Sequence, residues 1–223
     1  MAWQRSVIDG IRRDKFGTGS SKAPPLAADV HRALKKLSSE YFHDVQFIEE
    51  LIRNAEDNTY GIDVRPSLEF LLTNEDVAGK GVSATLLVLN NESGLLVPVV
   101  MALCSVNSTK IGRKGIGFKS VFKVCNTPVI ISNGFRIDFQ DEPDEEAGLG
   151  YIVPNWTDTP TDEAIRFACG RDKLPNTVII LPLRHDKVGS VWRELMVLSL
   201  ENILSLSRNR ELHVAIKIAD NIF

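Results

Sequence analysis

Cysteine is scarce: the 223 residues hold three, Cys104, Cys125 and Cys169. An odd, widely spaced set excludes a disulfide framework and offers no zinc-ligand spacing, so reduced, mostly buried thiols are expected. Long apolar runs are missing too. The opening M-A-W-Q-R-S-V-I-D-G lacks the apolar core of a signal peptide, and no stretch suits a membrane span. The expected setting is therefore nucleus or cytoplasm, with no membrane partner. A strong charge of one sign is also absent. The formal net charge of -3 argues against a dedicated nucleic-acid binder and leaves room only for a local basic patch. His31, His43, His185 and His213 are scattered without ligand spacing, and no serine sits in a nucleophile elbow.

Two segments carry chemistry. The first is E-L-I-R-N-A-E-D, Glu50 to Asp57. On a helix Glu50 and Asn54 are i and i+4, and Asn54 and Asp57 are i and i+3, so all three project from one face. Ile48, Leu51, Ile52 and Ala55 form an apolar stripe on the other. An amide oxygen at Asn54 suits Mg²⁺, and a carboxylate at Glu50 can take a proton from an attacking water. Glu49 points about 100° away from Glu50. Asp57 and Asn58 are expected further along a nucleotide.

The second segment is I-G-R-K-G-I-G-F-K-S, Ile111 to Ser120. Gly112, Gly115 and Gly117 would let backbone approach phosphate oxygens and adopt positive φ, and a following helix start would complement the charge. Ser108 and Thr109 add hydroxyls. Lys110, Arg113, Lys114, Lys119 and Lys123 surround the loop; an RNA-facing basic surface is the competing reading of that cluster. The loop is neither a P-loop, because Phe118 separates Gly117 from Lys119, nor a dinucleotide fingerprint, because Ser120 stands where the third glycine belongs.

The remaining pattern predicts helices over Trp3–Asp14, Leu26–Phe42, Asp44 to about Asn58, Val97–Val106, Gly117–Val124 and Ser190–Leu206. Strands are predicted over Ser67–Leu72, Ser83–Leu89, Thr177–Leu183 and Leu212–Ile218, with Gly79 and Gly81 in the turn between the first two. Pro128–Ser132 and Phe135–Phe139 flank Asn133-Gly134, a strong hairpin signal. Phe16–Pro25 is expected as a flexible connector, so residues 1–25 form a helix and linker ahead of a domain over 26–223. Asp141–Glu146 is expected as a solvated acidic loop. Without steady βαβ alternation, the class is α+β: a two-layer sandwich with a mixed, mostly antiparallel sheet and helices on one face.

E-x-x-x-N-A-x-D followed by G-x-x-G-x-G-F resembles the GHKL ATPases: gyrase B, the ninety-kilodalton heat-shock chaperones, histidine kinases and MutL. The chain most resembles their sacsin and plant NO VEIN-like group, through H-D-V-Q-F-I-E-E-L-I-R-N-A-E-D-N, L-V-L-N-N-E-S-G, S-T-K-I-G-R-K-G-I-G-F-K-S-V-F and T-V-I-I-L-P-L-R. The resemblance implies a Bergerat fold that binds ATP and Mg²⁺, hydrolyses slowly and acts as a conformational switch within a larger protein. A non-hydrolysing nucleotide-binding scaffold is the alternative. By the same resemblance Glu50 activates water, Asn54 holds Mg²⁺, and Asp57 lies beside the nucleotide. Gly112, Gly115 and Gly117 match the phosphate loop, with Lys119 near it, and Thr177 sits near adenine; Ser108, Thr109, Lys110 and Phe118, which flank the glycines, complete the expected nucleotide-binding set. Where relatives show D-x-G-x-G, this chain has Glu92, Gly94 and Leu96, with Asn91 as an alternative adenine contact; Asn176 precedes Thr177 where glycine is common. Relatives also supply a cation to the terminal phosphate from a following domain. Binding is therefore expected to be better preserved than turnover, with further domains, other proteins or a nucleotide-dependent dimer as partners.

Overall fold

The computed structural model describes residues 1–20, 24, 26–38, 46–106, 115, 117–200 and 213–219. Helices are α1 (Ala2–Phe16), α2 (Ala27–Lys36), α3 (Gln46–Glu56), α4 (Val97–Leu103), α5 (Asp162–Cys169) and α6 (Val188–Leu200). Strands are β1 (Ser67–Thr73), β2 (Thr85–Asn90), β3 (Val129–Ser132), β4 (Phe135–Asp138), β5 (Asn155–Trp156), β6 (Thr177–Pro182) and β7 (His213–Ile218). They form one sheet in the order β5-β4-β3-β6-β2-β1-β7, antiparallel throughout except for the parallel pair β1–β7. This is the α+β sandwich with a mixed, mostly antiparallel sheet.

Alternation along the strands divides the apolar residues between two faces. Phe70, Leu72, Leu86, Val88, Ile130 and Leu181 enter the main core, against Phe47, Ile48, Leu51 and Ile52 of α3. Leu71, Leu87, Leu89, Val129, Val178 and Ile180 face the other way and pack with Ile165 of α5. One short helix thus lies on the face opposite the other layer, an addition to the one-sided arrangement expected. The signals for α5 were present: Thr161 caps it by accepting from the Ala164 N–H (3.2 Å), two acids fill its first turn, and Gly170 closes it in the left-handed region.

Three local expectations change. The segment after Gly117 tightens into a 3-10 turn over Lys119–Lys123 instead of continuing as α-helix, with the Ser120 hydroxyl bonded back to the Gly117 carbonyl (2.5 Å). The acidic loop is not simply solvated. Asp144 accepts from Arg12 of α1 (3.0 Å) and from the Glu146 and Ala147 N–H groups (3.0 and 2.9 Å). Although partial burial pushes its carboxyl up, those partners hold it below the usual range. Finally, α2 ends as an α-helix at Lys36, and the remainder of its predicted span from residue 39 lies outside the described residues, as does the end of the last predicted helix beyond Leu200.

Candidate nucleotide site

A cavity of about 580 Å³, part of it open to solvent, lies between α3, α4 and the sheet. The register explains its floor. Ile130, Ile179 and Val88 are cross-strand neighbours on β3, β6 and β2, and all three line it. Two residues along, on the same face, the same strands end in a polar row, Ser132, Thr177 and Asn90. Three apolar strands therefore finish together in hydroxyl, hydroxyl and amide.

That row holds Glu92. The Thr177 hydroxyl donates to Glu92 Oε1 (2.9 Å), so Ser132, 2.6 Å from Thr177 Oγ1, must donate to Thr177, while the Leu95 N–H donates to Ser132 (2.8 Å). The backbone of Glu92 is fixed as well. Its N–H donates to Asn90 Oδ1 and its carbonyl accepts from Asn176 Nδ2, both at 2.8 Å. A buried carboxylate that accepts a hydrogen bond, as Glu92 does from Thr177, is stabilised relative to one left without a donor. Gly94 follows at φ +94°, and a Cβ there would lie 2.8 Å from Asn133 Cβ, so glycine is required. Leu96 takes φ -106° at the start of α4, a conformation open to any residue, and is exposed.

From α3, Asn54 faces the cavity, and Asn58 just beyond the helix does too. Asp57 is exposed and lies beyond the last helical residue. Asn91 is not at the cavity: its amide ties down the approach to β1, accepting from the Ser67 N–H (2.8 Å) and donating to the Arg65 carbonyl (2.9 Å). Of the two candidate adenine contacts, only Glu92 reaches the pocket. Tyr60, Asn90 and Ser132 were not foreseen. The Tyr60 hydroxyl donates to the Ala55 carbonyl (2.8 Å), and burial, with the Glu92 charge adding and an Asn90 hydrogen bond opposing, pushes its pKa up.

Glu50 joins the two motifs physically. Its Oε1 accepts from Arg53 (2.6 Å), and its Oε2 lies 2.6 Å from where a Cβ on Gly117 would stand. Gly115 is tighter still, with an added Cβ only 2.1 Å from the Ala102 carbonyl oxygen at the end of α4. Neither glycine has positive φ. Close backbone approach, to Glu50 and to α4, is what demands glycine at both positions. Ser108, Thr109, Lys110 and Gly112 lie outside the described residues, as do Arg113 and Lys114.

Phe118 lines the cavity, but Lys119 turns away from it. Lys119 is 1% exposed; its Nζ donates to the Leu103 carbonyl (2.5 Å) and lies 5.5 and 5.1 Å from the ring centroids of Phe118 and Phe139. The cation thereby meets the carbonyl end of α4, where positive charge is favoured. Burial lowers its pKa to about 7, with Lys15 adding and Cys104 opposing. The same burial pushes the Cys104 thiol up to about 12. Buried in this way, Lys119 cannot belong to an RNA-facing basic surface.

The chain is similar to Protein NO VEIN of Arabidopsis thaliana. The two are 41% identical over a stretch covering 80% of this chain and 7% of that protein, so the chain spans about 7% of its relative's length. No protein-family model matches the chain. Among the described residues no helix is long and apolar enough to cross a membrane.

Proposed function

We propose that this chain is an ATP-binding domain of the GHKL type, with slow Mg²⁺-dependent hydrolysis that switches the conformation of a larger protein. The observation that carries this reading is the meeting of Asn54, from the first motif, with the Glu92–Thr177 pair across one apolar-floored cavity. An adenine ring suits the Val88, Ile130 and Ile179 floor, and its amino group is a donor matched to a carboxylate that Thr177 already orients. The donor set also suits the metal. Mg²⁺ bound through nucleotide phosphates needs only one or two protein oxygens, and the Asn54 amide can supply one. Bound there, Mg²⁺ would neutralise phosphate charge. Glu50 would take the proton of the attacking water, and the backbone at Gly117 would keep the Glu50 carboxylate at the phosphate end of the cavity. The similarity to one short stretch of a much longer protein supports a domain acting on neighbours rather than alone.

One observation favours a non-hydrolysing reading. Glu50 is held by Arg53 on one oxygen and packed against Gly117 on the other, which leaves little room for a water.

Calorimetric titration of a non-hydrolysable ATP analogue, with and without Mg²⁺, tests the proposal. Metal-dependent binding that Asn54→Ala removes is the expected result, and absence of binding at millimolar analogue would overturn it. Glu50→Gln should spare analogue binding and abolish ATP turnover; turnover no higher in wild type than in Glu50→Gln would favour the non-hydrolysing scaffold.

A further inference from the structure

A second recess lies at the opposite end of β2 and β6, enclosing about 900 Å³ including space open to solvent. Three connections build it. Lys80 and Ser83 come from the β1–β2 turn, Asn126 and Thr127 precede β3, and Arg184 and His185 follow β6. Thr177 and Pro182 bound β6, so this recess is about 17 Å from the polar row of the first cavity, at about 3.4 Å per residue.

Its chemistry is cationic and rich in donors. Arg184 is anchored by its main-chain N–H, which donates to the Val124 carbonyl (2.8 Å), and by Nη2, which donates to the Lys123 carbonyl. Its Nε–H is buried and has no acceptor among the described residues, and no other buried side-chain polar atom among them lacks a partner. A guanidinium left in this way has its positive charge incompletely compensated by the protein at the wall of the recess. Beside it Ser83 Oγ lies 3.5 Å from His185 Nδ1. Among the described residues no carboxylate comes within ion-pair distance of Lys80, Arg184 or His185. The acids around them are Asp76, whose carboxylate accepts from the Lys80 and Gly81 N–H groups (2.9 and 2.6 Å), and at longer range Asp138, which feels Lys80, and Asp141, which feels Arg184.

We infer that this recess binds a phosphate group, presented as free phosphate or as a phosphomonoester. Guanidinium, ammonium, imidazole, two hydroxyls and an amide together exceed what one carboxylate can accept, and match a tetrahedral dianion with three strong acceptor oxygens. The site is separate from the proposed nucleotide cavity and does not depend on that reading.

Inorganic phosphate titrated into the full chain, followed by amide chemical shifts, is the test. Saturable shifts are expected at Ser83, Asn126, Thr127, Arg184 and His185. The Lys80→Gln/His185→Gln double variant should weaken binding at least tenfold with unchanged unfolding midpoint, and Glu92→Gln should leave it unaltered. Acetate should bind at least tenfold more weakly, and phosphoserine should compete with inorganic phosphate if a phosphomonoester is accommodated as well as the free ion. Failure to saturate, equal binding by the double variant, equal binding of acetate, or shifts confined to the Asn54–Glu92 cavity would each overturn the inference.

Discussion

The two ends of β2 and β6 are built from the same apolar strands and finish in opposite chemistry. At one end Asn90, Glu92, Thr177 and Ser132 satisfy one another and the loop around them. At the other, Lys80 and His185 are exposed, and Arg184 keeps a buried N–H without an acceptor among the described residues. The first set is therefore part of what holds the fold together, whereas in the second only Arg184 is tied to the main chain around it. Substitutions should separate them: loss of stability at the cavity end, loss of ligand at the cationic end.

The severest break is at the glycine junction beside the cavity. Gly115→Ala would put a Cβ 2.1 Å from the Ala102 carbonyl oxygen, with backbone on both sides of the clash. A loss of about 3 kcal/mol is expected in urea unfolding, at the upper end of ordinary overpacking. An unchanged midpoint would show that α4 moves freely. Next, Thr177→Val keeps the shape but removes the donor to Glu92 and the acceptor for Ser132. About 1–3 kcal/mol should be lost, and a neutral result would mean that Glu92 is held by other groups.

A third effect is a slope. The folded-state pKa of Lys119, about 7 against an ordinary 10.5, means that the folded protein gives up a proton the unfolded chain retains. The cost of the buried cation is fully present below pH 7, and stability rises with pH between those two values. Lys119→Met removes this dependence. Wild type should therefore gain on the variant as pH rises from 7 to 10, and a constant difference in unfolding free energy would contradict the burial of a titrating amine. The smallest effect belongs to the cationic end. Lys80→Gln should shift unfolding by no more than about 0.5 kcal/mol, as surface changes do, and a larger loss would erase the contrast between the two ends.

Much of this was legible in residues alone, for physical reasons that differ by element. Asn133 and Gly134 adopt φ 49° and 77°, the turn that Asn-Gly favours, and the hairpin formed where expected. The amphipathic stripe of α3 docked as its spacing required. β5 was missed because two residues carry no periodicity, and α5 because a single buried residue, Ile165, anchors it while Phe167 stays exposed. In the candidate site, Asn54 and Glu92 were visible as residue types, but Lys119 was misplaced. Its neighbourhood in sequence is basic, whereas its neighbourhood in space is the carbonyl end of α4. Only tertiary packing decides between those two.

The parallel pairing of β7 with β1 has a consequence for how the molecule comes into being. Every other strand pair in the sheet is antiparallel, yet the edge closes on β1 with a strand from the far end of the described chain. During synthesis β1 emerges well before β7, so β1 must wait with one side unpaired while the residues between them are made. Contacts between segments so distant along the chain are slow to form. Until they do, an uncovered strand edge is open to pairing with a neighbouring nascent chain.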